Sequence, residues 1–330
     1  METLDLDNRG LHTSRIGLGT WAIGGWMWGG TDEAESIRTI QSAPDHGITL
    51  IDTAPVYGFG RSEEIVGKAV KHGGMRDQVA LATKCALEWD AKERVARNAT
   101  KQRIFKEADD SLRRLQTDVI DLLQVHWPDP NVDVRETAEA MARLQQDGKI
   151  RAIGVSNFTP EQLDAFSEVA TVDVAQNPYN LFERQINDDV LPWAQAHDAR
   201  LLAYGALCRG LLSGRMHADR EFPGDDLRNN DPKFQQPRFG QYLAAVDALE
   251  QFAQDNYGKH VLDLAIRWVL DQYPHSVALW GARKPDQLEA VDNVWGWQLD
   301  DSAREQIKEI VDAHVTDPVG PEFMAPPARA

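Results

Sequence analysis

The sequence predicts a (β/α)8 barrel, with an N-terminal β-hairpin and long loops at its C-terminal face. Three observations carry that prediction. Eight short β-rich runs alternate with amphipathic helical stretches along the chain. Several runs, such as Val119-Ile120-Asp121-Leu122-Leu123, are nearly continuous apolar stretches, as expected of parallel strands covered on both faces. The first strand-to-helix turn, Gly17-Leu18-Gly19-Thr20-Trp21-Ala22, lacks the third glycine of the dinucleotide-binding fingerprint, which disfavours a doubly wound sheet. A length of 330 residues suits one such barrel, and no linker divides residues 1–330.

The elements follow in order. A hairpin over residues 4–15 precedes the first barrel strand. The strands are read at 16–20, 49–54, 79–86, 119–126, 152–157, 174–180, 200–208 and 277–284. Residues 32–46 place Ile37, Ile40 and Ala43 on one helical face and end at Gly47, where a C-terminal cap glycine belongs. Residues 101–115 set Ile104, Ala108, Leu112 and Leu115 at helical spacing. Thr159-Pro160-Glu161-Gln162 reads as a capping box with proline at the first helical position. Residues 261–272 and 302–313 are further amphipathic helices. The polar stretch 211–240 is long enough to be a functional lid or a disordered segment. The tail 317–330 carries four prolines and is expected to be extended.

Composition narrows the function. Hydrophobic residues at 42% and charged residues at 26% describe a globular protein with a large core. A net charge of −17 excludes a nucleic-acid surface and disfavours an anionic membrane. No apolar stretch is long enough to span a bilayer, and the N-terminus is not a secretory signal. Cys85 and Cys208, far apart and both in runs read as strands, suggest a reducing compartment, so the expected location is cytoplasmic. The nine histidines show no dense ligand spacing, so no metal is expected. The sequence sets no oligomeric state.

Barrel chemistry is sought at the C-terminal strand ends. Asp52 and Tyr57 follow the second strand, Lys84 lies on the third and His126 closes the fourth. Each alone has a bland reading as a turn, packing, edge or core residue; convergence on one mouth gives them chemistry. A free tyrosine, with a pKa near ~10, is a poor proton shuttle at neutrality. Lys84 is expected to lower that pKa, Asp52 to pair with Lys84, and His126 to orient a substrate oxygen.

In those residues and their flanking segments the chain resembles an aldo-keto reductase. The segments are Gly17-Leu18-Gly19-Thr20-Trp21, Ile51-Asp52-Thr53-Ala54 leading to Tyr57-Gly58, Ala82-Thr83-Lys84 and Asp121-Leu122-Leu123-Gln124-Val125-His126-Trp127. Gly148 to Phe158 and Gln176-Asn177-Pro178-Tyr179-Asn180 complete them, in the family's order. The resemblance implies Tyr57 as general acid/base, Lys84 and Asp52 as its tuning partners, and His126 as orienter. It implies NADP(H) across the barrel mouth. Thr20, Trp21, Ser156, Asn157 and Gln176 would line the nicotinamide end, with Tyr204 stacked on the ring. Gly205, Leu207, Arg209 and Gly210 would face the pyrophosphate. Gly281, Arg283, Gln287 and Asn293 match the adenosine-phosphate segment, with Arg283 the candidate for the 2′-phosphate because a guanidinium binds phosphate bidentately.

Trp21, Trp28, Trp89 and Trp127 are the tryptophans expected to see a small-molecule substrate. Trp21-Ala22-Ile23-Gly24-Gly25-Trp26 and the Arg97-Asn98 and Arg103-Ile104 pairs resemble a bacterial branch that includes glycerol or glyceraldehyde oxidoreductases. Two other classes remain open on sequence. One is an NADP(H)-binding regulatory subunit with little turnover. The other is a barrel lyase or isomerase with a Schiff base at Lys84, which pairing with Asp52 would oppose.

Overall fold

The computed structural model describes residues 1–329. Twelve strands run β1 (Thr3–Asp5), β2 (His12–Ser14), β3 (Ile16–Gly19), β4 (Leu50–Asp52), β5 (Ala80–Cys85), β6 (Leu87–Trp89), β7 (Val95–Arg97), β8 (Ile120–Val125), β9 (Ile150–Ser156), β10 (Val174–Pro178), β11 (Arg200–Tyr204) and β12 (Ser276–Gly281). Eight of them, β3, β4, β5, β8, β9, β10, β11 and β12, pair in parallel and close into a barrel. The helices are α1 (Trp21–Gly24), α2 (Glu33–Ser42), α3 (Arg61–His72), α4 (Lys101–Leu115), α5 (Val134–Gln146), α6 (Pro160–Ser167), α7 (Val190–Ala196), α8 (Arg238–Tyr257), α9 (Val261–Gln272) and α10 (Asp301–His314).

Strand alternation divides the barrel into an outside and an inside. Ile51, Leu81, Leu123, Ile153, Ala175 and Leu201 face outward into the main core with the helices. Leu50, Ala80, Ala82, Leu122, Ala152, Val174, Leu202 and Val277 point inward and form a separate apolar cluster. The hairpin of β1 and β2 adds Leu6 and Leu11 to that inner cluster, so it plugs the N-terminal end of the barrel.

The local signals act as their chemistry requires. The Asp32 and Thr100 side chains accept from the Glu35 and Arg103 amides to start α2 and α4. Thr159 and Gln162 form the capping box of α6, with Pro160 at its first turn. The helix expected over 32–46 breaks at Ala43-Pro44 into a 3-10 turn, Ala43–His46, which ends at Gly47 with φ of 71°. Proline there removes a donor and clashes with the preceding turn.

Two other expectations are corrected. Cys208 is not on a strand: β11 ends at Tyr204, and the chain turns through a 3-10 segment, Cys208–Ser213, with Cys208 and Arg209 at positive φ. Residues 211–240 are not structureless, since Leu227–Asn229 and Pro232–Phe234 form 3-10 turns that bury Leu227, Asp231, Lys233 and Phe234. The tail over 317–329 is extended as expected except for a turn at Glu322–Met324, and it docks beside β7, where Arg97 donates to the Pro326 and Pro327 carbonyls; residue 330 lies outside the described residues. The β6–β7 hairpin, absent from the sequence reading, rises beyond the end of β5.

Candidate active site

Above the inner apolar cluster the inward positions become polar. Asp52 ends β4, Lys84 is the fifth residue of β5, Gln124 the fifth of β8 and Gln176 the third of β10, all at most 2% exposed. The Lys84 ammonium donates to Asp52 Oδ1 at 2.6 Å and to the Thr53 carbonyl at 3.0 Å. Asp52 Oδ2 accepts from Gln124 at 3.0 Å and from Gln176 at 3.1 Å. The carboxylate therefore has a donor on each oxygen, as a buried charge needs.

Tyr57 and His126 stand at the mouth over this layer, each partly exposed. Their rings meet edge to face with centroids 5.8 Å apart. Lys84 Nζ lies 5.1 Å from the Tyr57 ring centroid, and Trp21 stacks on the other side at 5.9 Å. The turn that carries Tyr57 lies directly against α1: a Cβ on Gly24 would fall 2.5 Å from the Tyr57 carbonyl oxygen. Only glycine permits that approach. His126 is fixed by its main chain, its amide donating to the Cys85 carbonyl and its carbonyl accepting from the Asn157 side chain.

The electrostatics differ from the sequence expectation. Desolvation, with Asp52's negative charge beside it, pushes the Tyr57 phenol well above the ordinary tyrosine value. Lys84 does not reverse this, because its charge is spent on Asp52 and burial lowers its own pKa. His126 is driven well below the ordinary histidine value by desolvation and by Lys84. The site thus presents a protonated phenol beside a neutral imidazole. Lys84 is wholly buried with its ammonium bonded twice, which leaves no approach for a Schiff base.

Comparisons with known proteins bear on a closed parallel barrel that gathers Asp52, Tyr57, Lys84 and His126 at its C-terminal strand ends. Residues 15–312 match the Aldo/keto reductase family. The chain belongs to that family. It is 58% identical to the aldo-keto reductase YhdN of Bacillus subtilis (strain 168), over 100% of this chain and 99% of that protein. It is 32% identical to the NADH-specific methylglyoxal reductase of Escherichia coli (strain K12), over 95% and 99% respectively. Among solved structures, the glycerol dehydrogenase AKR11B4 from Gluconobacter oxydans superposes with a TM-score of 0.88 at 54% identity, over 98% of this chain and 99% of that one. An aldo-keto reductase from Klebsiella pneumoniae, solved with NADPH, superposes with a TM-score of 0.72 at 27% identity over the whole of both chains.

The remaining candidates of this aldo-keto reductase fall into three groups. Ser156, Asn157, Gln176 and Tyr204 cluster beside the tetrad: the Tyr204 hydroxyl donates to Asn157 Oδ1 at 2.9 Å, and Asn157 donates to Ser156 Oγ. Thr20 braces from beneath, its hydroxyl donating to the Asp52 carbonyl. Gly205 and Gly281 border open space, since a Cβ on either would meet nothing within 4 Å. That is room for an extended ligand at the ends of β11 and β12, which suits the dinucleotide.

Three other candidates, Arg209, Gln287 and Arg283, have side chains bonded within the protein. Arg209 is 7% exposed, bound to Glu183 at 2.7 Å and Asp231 at 2.5 Å, with Lys233 on Glu183 at 2.9 Å. It anchors the turn of Leu207 and Gly210 instead of presenting a guanidinium, and the two carboxylates explain why. Gln287 accepts from the Arg283 and Lys284 amides, so it shapes its loop. Asn293 lies at the far end of the 3-10 helix Pro285–Val294, with its carbonyl taken by Trp297. Arg283 donates to the Trp28 and Gly30 carbonyls.

Trp21 and Trp28 meet edge to face at 5.6 Å, and both indole N–H groups are buried without a partner. Trp127 packs on the Ala54, Val56 and Leu87 cluster that also supports Tyr57 and lies under Arg97, whereas Trp89 sits against Phe59 and Arg103. The sequence reading missed Arg228, which covers Trp28 and Phe222, and Asp225, which accepts from the Met27 and Gly29 amides. These join residues 222–228 to the loop after β3. It also missed Gln124, although a polar residue at an inward position two before His126 was a visible signal.

Proposed function

We propose that this aldo/keto reductase is a cytoplasmic NADP(H)-dependent oxidoreductase. It interconverts small hydroxylated aldehydes or ketones, of the glyceraldehyde kind, with alcohols or polyols of the glycerol kind, and Tyr57 is its general acid/base. The observation that carries this reading is the pairing of a protonated phenol with a neutral imidazole, 5.8 Å apart between ring centroids, above a charge-neutral Asp52–Lys84 pair. NADP(H) supplies the hydride in reduction and takes it in oxidation. Ser156, Asn157, Gln176 and Tyr204 would hold its nicotinamide end, the turn at Gly205 its pyrophosphate and Arg283 its 2′-phosphate.

Within the site, His126 donates to the carbonyl oxygen and orients it toward Tyr57. The Tyr57 hydroxyl then delivers its proton to that oxygen as negative charge develops there. The raised pKa keeps the proton in place until that moment. In oxidation the same residue must first lose its proton. The unpartnered indoles of Trp21 and Trp28 favour a substrate with hydroxyl oxygens to accept from them, because a buried donor without a partner costs about 1–3 kcal/mol. The 54% identity to a glycerol dehydrogenase supports the same class. Both cysteines are buried and unpaired, which suits a reducing compartment.

Replacing Tyr57 by Phe tests the reading. Reduction of DL-glyceraldehyde is expected to fall by roughly 10²–10⁴-fold, the usual contribution of a positioned acid, with NADPH affinity unchanged. In the wild type, reduction should stay level through neutral pH while glycerol oxidation climbs with pH, because the phenolate forms only above ~10. A Tyr57→Phe enzyme within tenfold of wild type would remove the assignment.

A further inference from the structure

We infer that Gln124 is a positioning residue of the reaction, joining the nicotinamide-side amide of Gln176 to the carboxylate that holds Lys84. The inference rests on the assignment of Tyr57 above. Its geometry lies inside the barrel. The Gln124 amide donates to Asp52 Oδ2 at 3.0 Å, and its Oε1 accepts from Gln176 Nε2 at 2.9 Å. The Gln176 amide also donates to Asp52 Oδ2, so the three side chains close a ring of hydrogen bonds.

Strand order alone would keep the two glutamines apart, because β9 runs between β8 and β10. Gly154 of β9 is paired with Gln124 on one side and Val174 on the other. A Cβ on Gly154 would stand 2.7 Å from Gln124 Cγ. Real Cβ atoms do not approach so closely, so the glycine leaves the gap through which the two amides meet. Apolar side chains at both positions would fill the same volume without this connection, as Leu122 and Val174 do one layer below.

The consequence is electrostatic. Asp52 is the negative charge nearest this layer, and two amide donors on Oδ2 disperse that charge away from Tyr57. The titratable or charged groups facing the layer are Lys84 from β5, Tyr57 after β4, His126 after β8 and Tyr204 at the end of β11. Glu63 on α3 lies behind β5, where it accepts from Thr83 and pairs with Arg114. Gln124 is the neutral member that fixes which Asp52 oxygen serves Lys84. The two Gln176 N–H groups are spent on Asp52 and Gln124, and its Oε1 is left to accept from a bound carboxamide.

The test uses the full-length enzyme with Gln124→Met, which keeps the length and removes both bonds, and Gln124→Glu. In Gln124→Met the alkaline limb of glycerol oxidation is expected to move up by about one pH unit, as loss of one bond to a charge implies, with kcat falling roughly tenfold. Gln124→Glu can donate to Asp52 only while protonated, so its oxidation rate should track the wild type in acid and fall as pH rises. A volume-filling role would leave the Gln124→Met profile at wild type, and that result overturns the inference. Should Gln124→Met fail to fold, Gln124→Leu, which also fills the volume without either bond, takes its place. If Tyr57→Phe is inert while both Gln124 variants follow the wild type, only the role of Gln124 falls. If Tyr57→Phe keeps its rate, the underlying assignment is what fails.

Discussion

Replacing Glu183 by Gln removes the carboxylate shared by two buried cations without changing the side chain's volume. In the native protein Glu183 has no exposure, and its Oε1 accepts from Arg209 at 2.7 Å and pairs with Lys233 at 2.9 Å. Asn180 donates to its other oxygen at 2.6 Å. Arg209 would retain the Asp231 carboxylate, but Lys233 would be left with neutral acceptors alone, the Gly320 carbonyl and the new amide oxygen. Removing one partner of a buried pair costs about 3–5 kcal/mol. A second route gives a similar size. Although burial opposes it, the two cations hold the Glu183 carboxyl at about 2, against an ordinary 4.5. At 1.36 kcal/mol per pH unit, that difference stabilises the fold by about 3 kcal/mol. The folded value is depressed, so the stabilisation is complete above pH 4.5 and is lost as pH falls toward 2. Urea unfolding of both proteins at pH 7 and pH 3.5, followed by tryptophan fluorescence, measures it. The gap should be about 3 kcal/mol or more at pH 7 and narrower by roughly 1 kcal/mol at pH 3.5. A gap below about 1 kcal/mol, the worth of an exposed pair, or one that ignores pH would refute the argument.

Two further perturbations probe other sites. Glu107 is buried beside Arg103 and accepts from the Ala86 amide, and burial raises its carboxyl to about 7. A carboxyl with a raised folded value costs stability as pH climbs from 4.5 to 7, on the order of 3 kcal/mol here, so Glu107→Gln should lack that part of the slope; parallel stability curves for the two proteins would contradict it. Arg283→Ala should weaken NADPH roughly tenfold or more while NADH changes little, measured by fluorescence titration. An equal loss for both cofactors would mean that Arg283 only braces the Trp28 and Gly30 carbonyls.

What the sequence could and could not reveal follows from the range over which each feature is determined. The helix read at 101–115 matches α4 residue for residue, because Ile104, Ala108 and Leu115 set its buried face locally and Thr100 caps it. The ends of the first four barrel strands were legible for a related reason: inward and outward positions alternate, so Asp52, Lys84 and His126 could be placed by counting. Arg209 was not legible as an anchor. Its partners Glu183 and Asp231 lie 26 and 22 positions away in different loops, and no periodicity links them. The raised pKa of Tyr57 was hidden similarly. Sequence pairs Lys84 with Asp52, but it does not show the burial that desolvates the phenol and outweighs the lysine's charge.

Burial, and not the lysine's charge, therefore sets the protonation of this site. Desolvation acts on Tyr57, Lys84 and His126 in the same sense, toward the neutral form of each. Asp52 accepts from three donors, on Lys84, Gln124 and Gln176. The apolar layer beneath, sealed by Leu6 and Leu11 of the hairpin, keeps water from reaching this ring from the N-terminal end. A barrel mouth built in this way holds a proton on the phenol at neutral pH and uses it only where substrate oxygen develops charge. The same arrangement explains why Lys84 must be counted with Asp52 as one unit. The charge of an ammonium free of its carboxylate would stabilise the phenolate and favour loss of the Tyr57 proton to solvent before a carbonyl arrived, whereas the bonded pair leaves it in place.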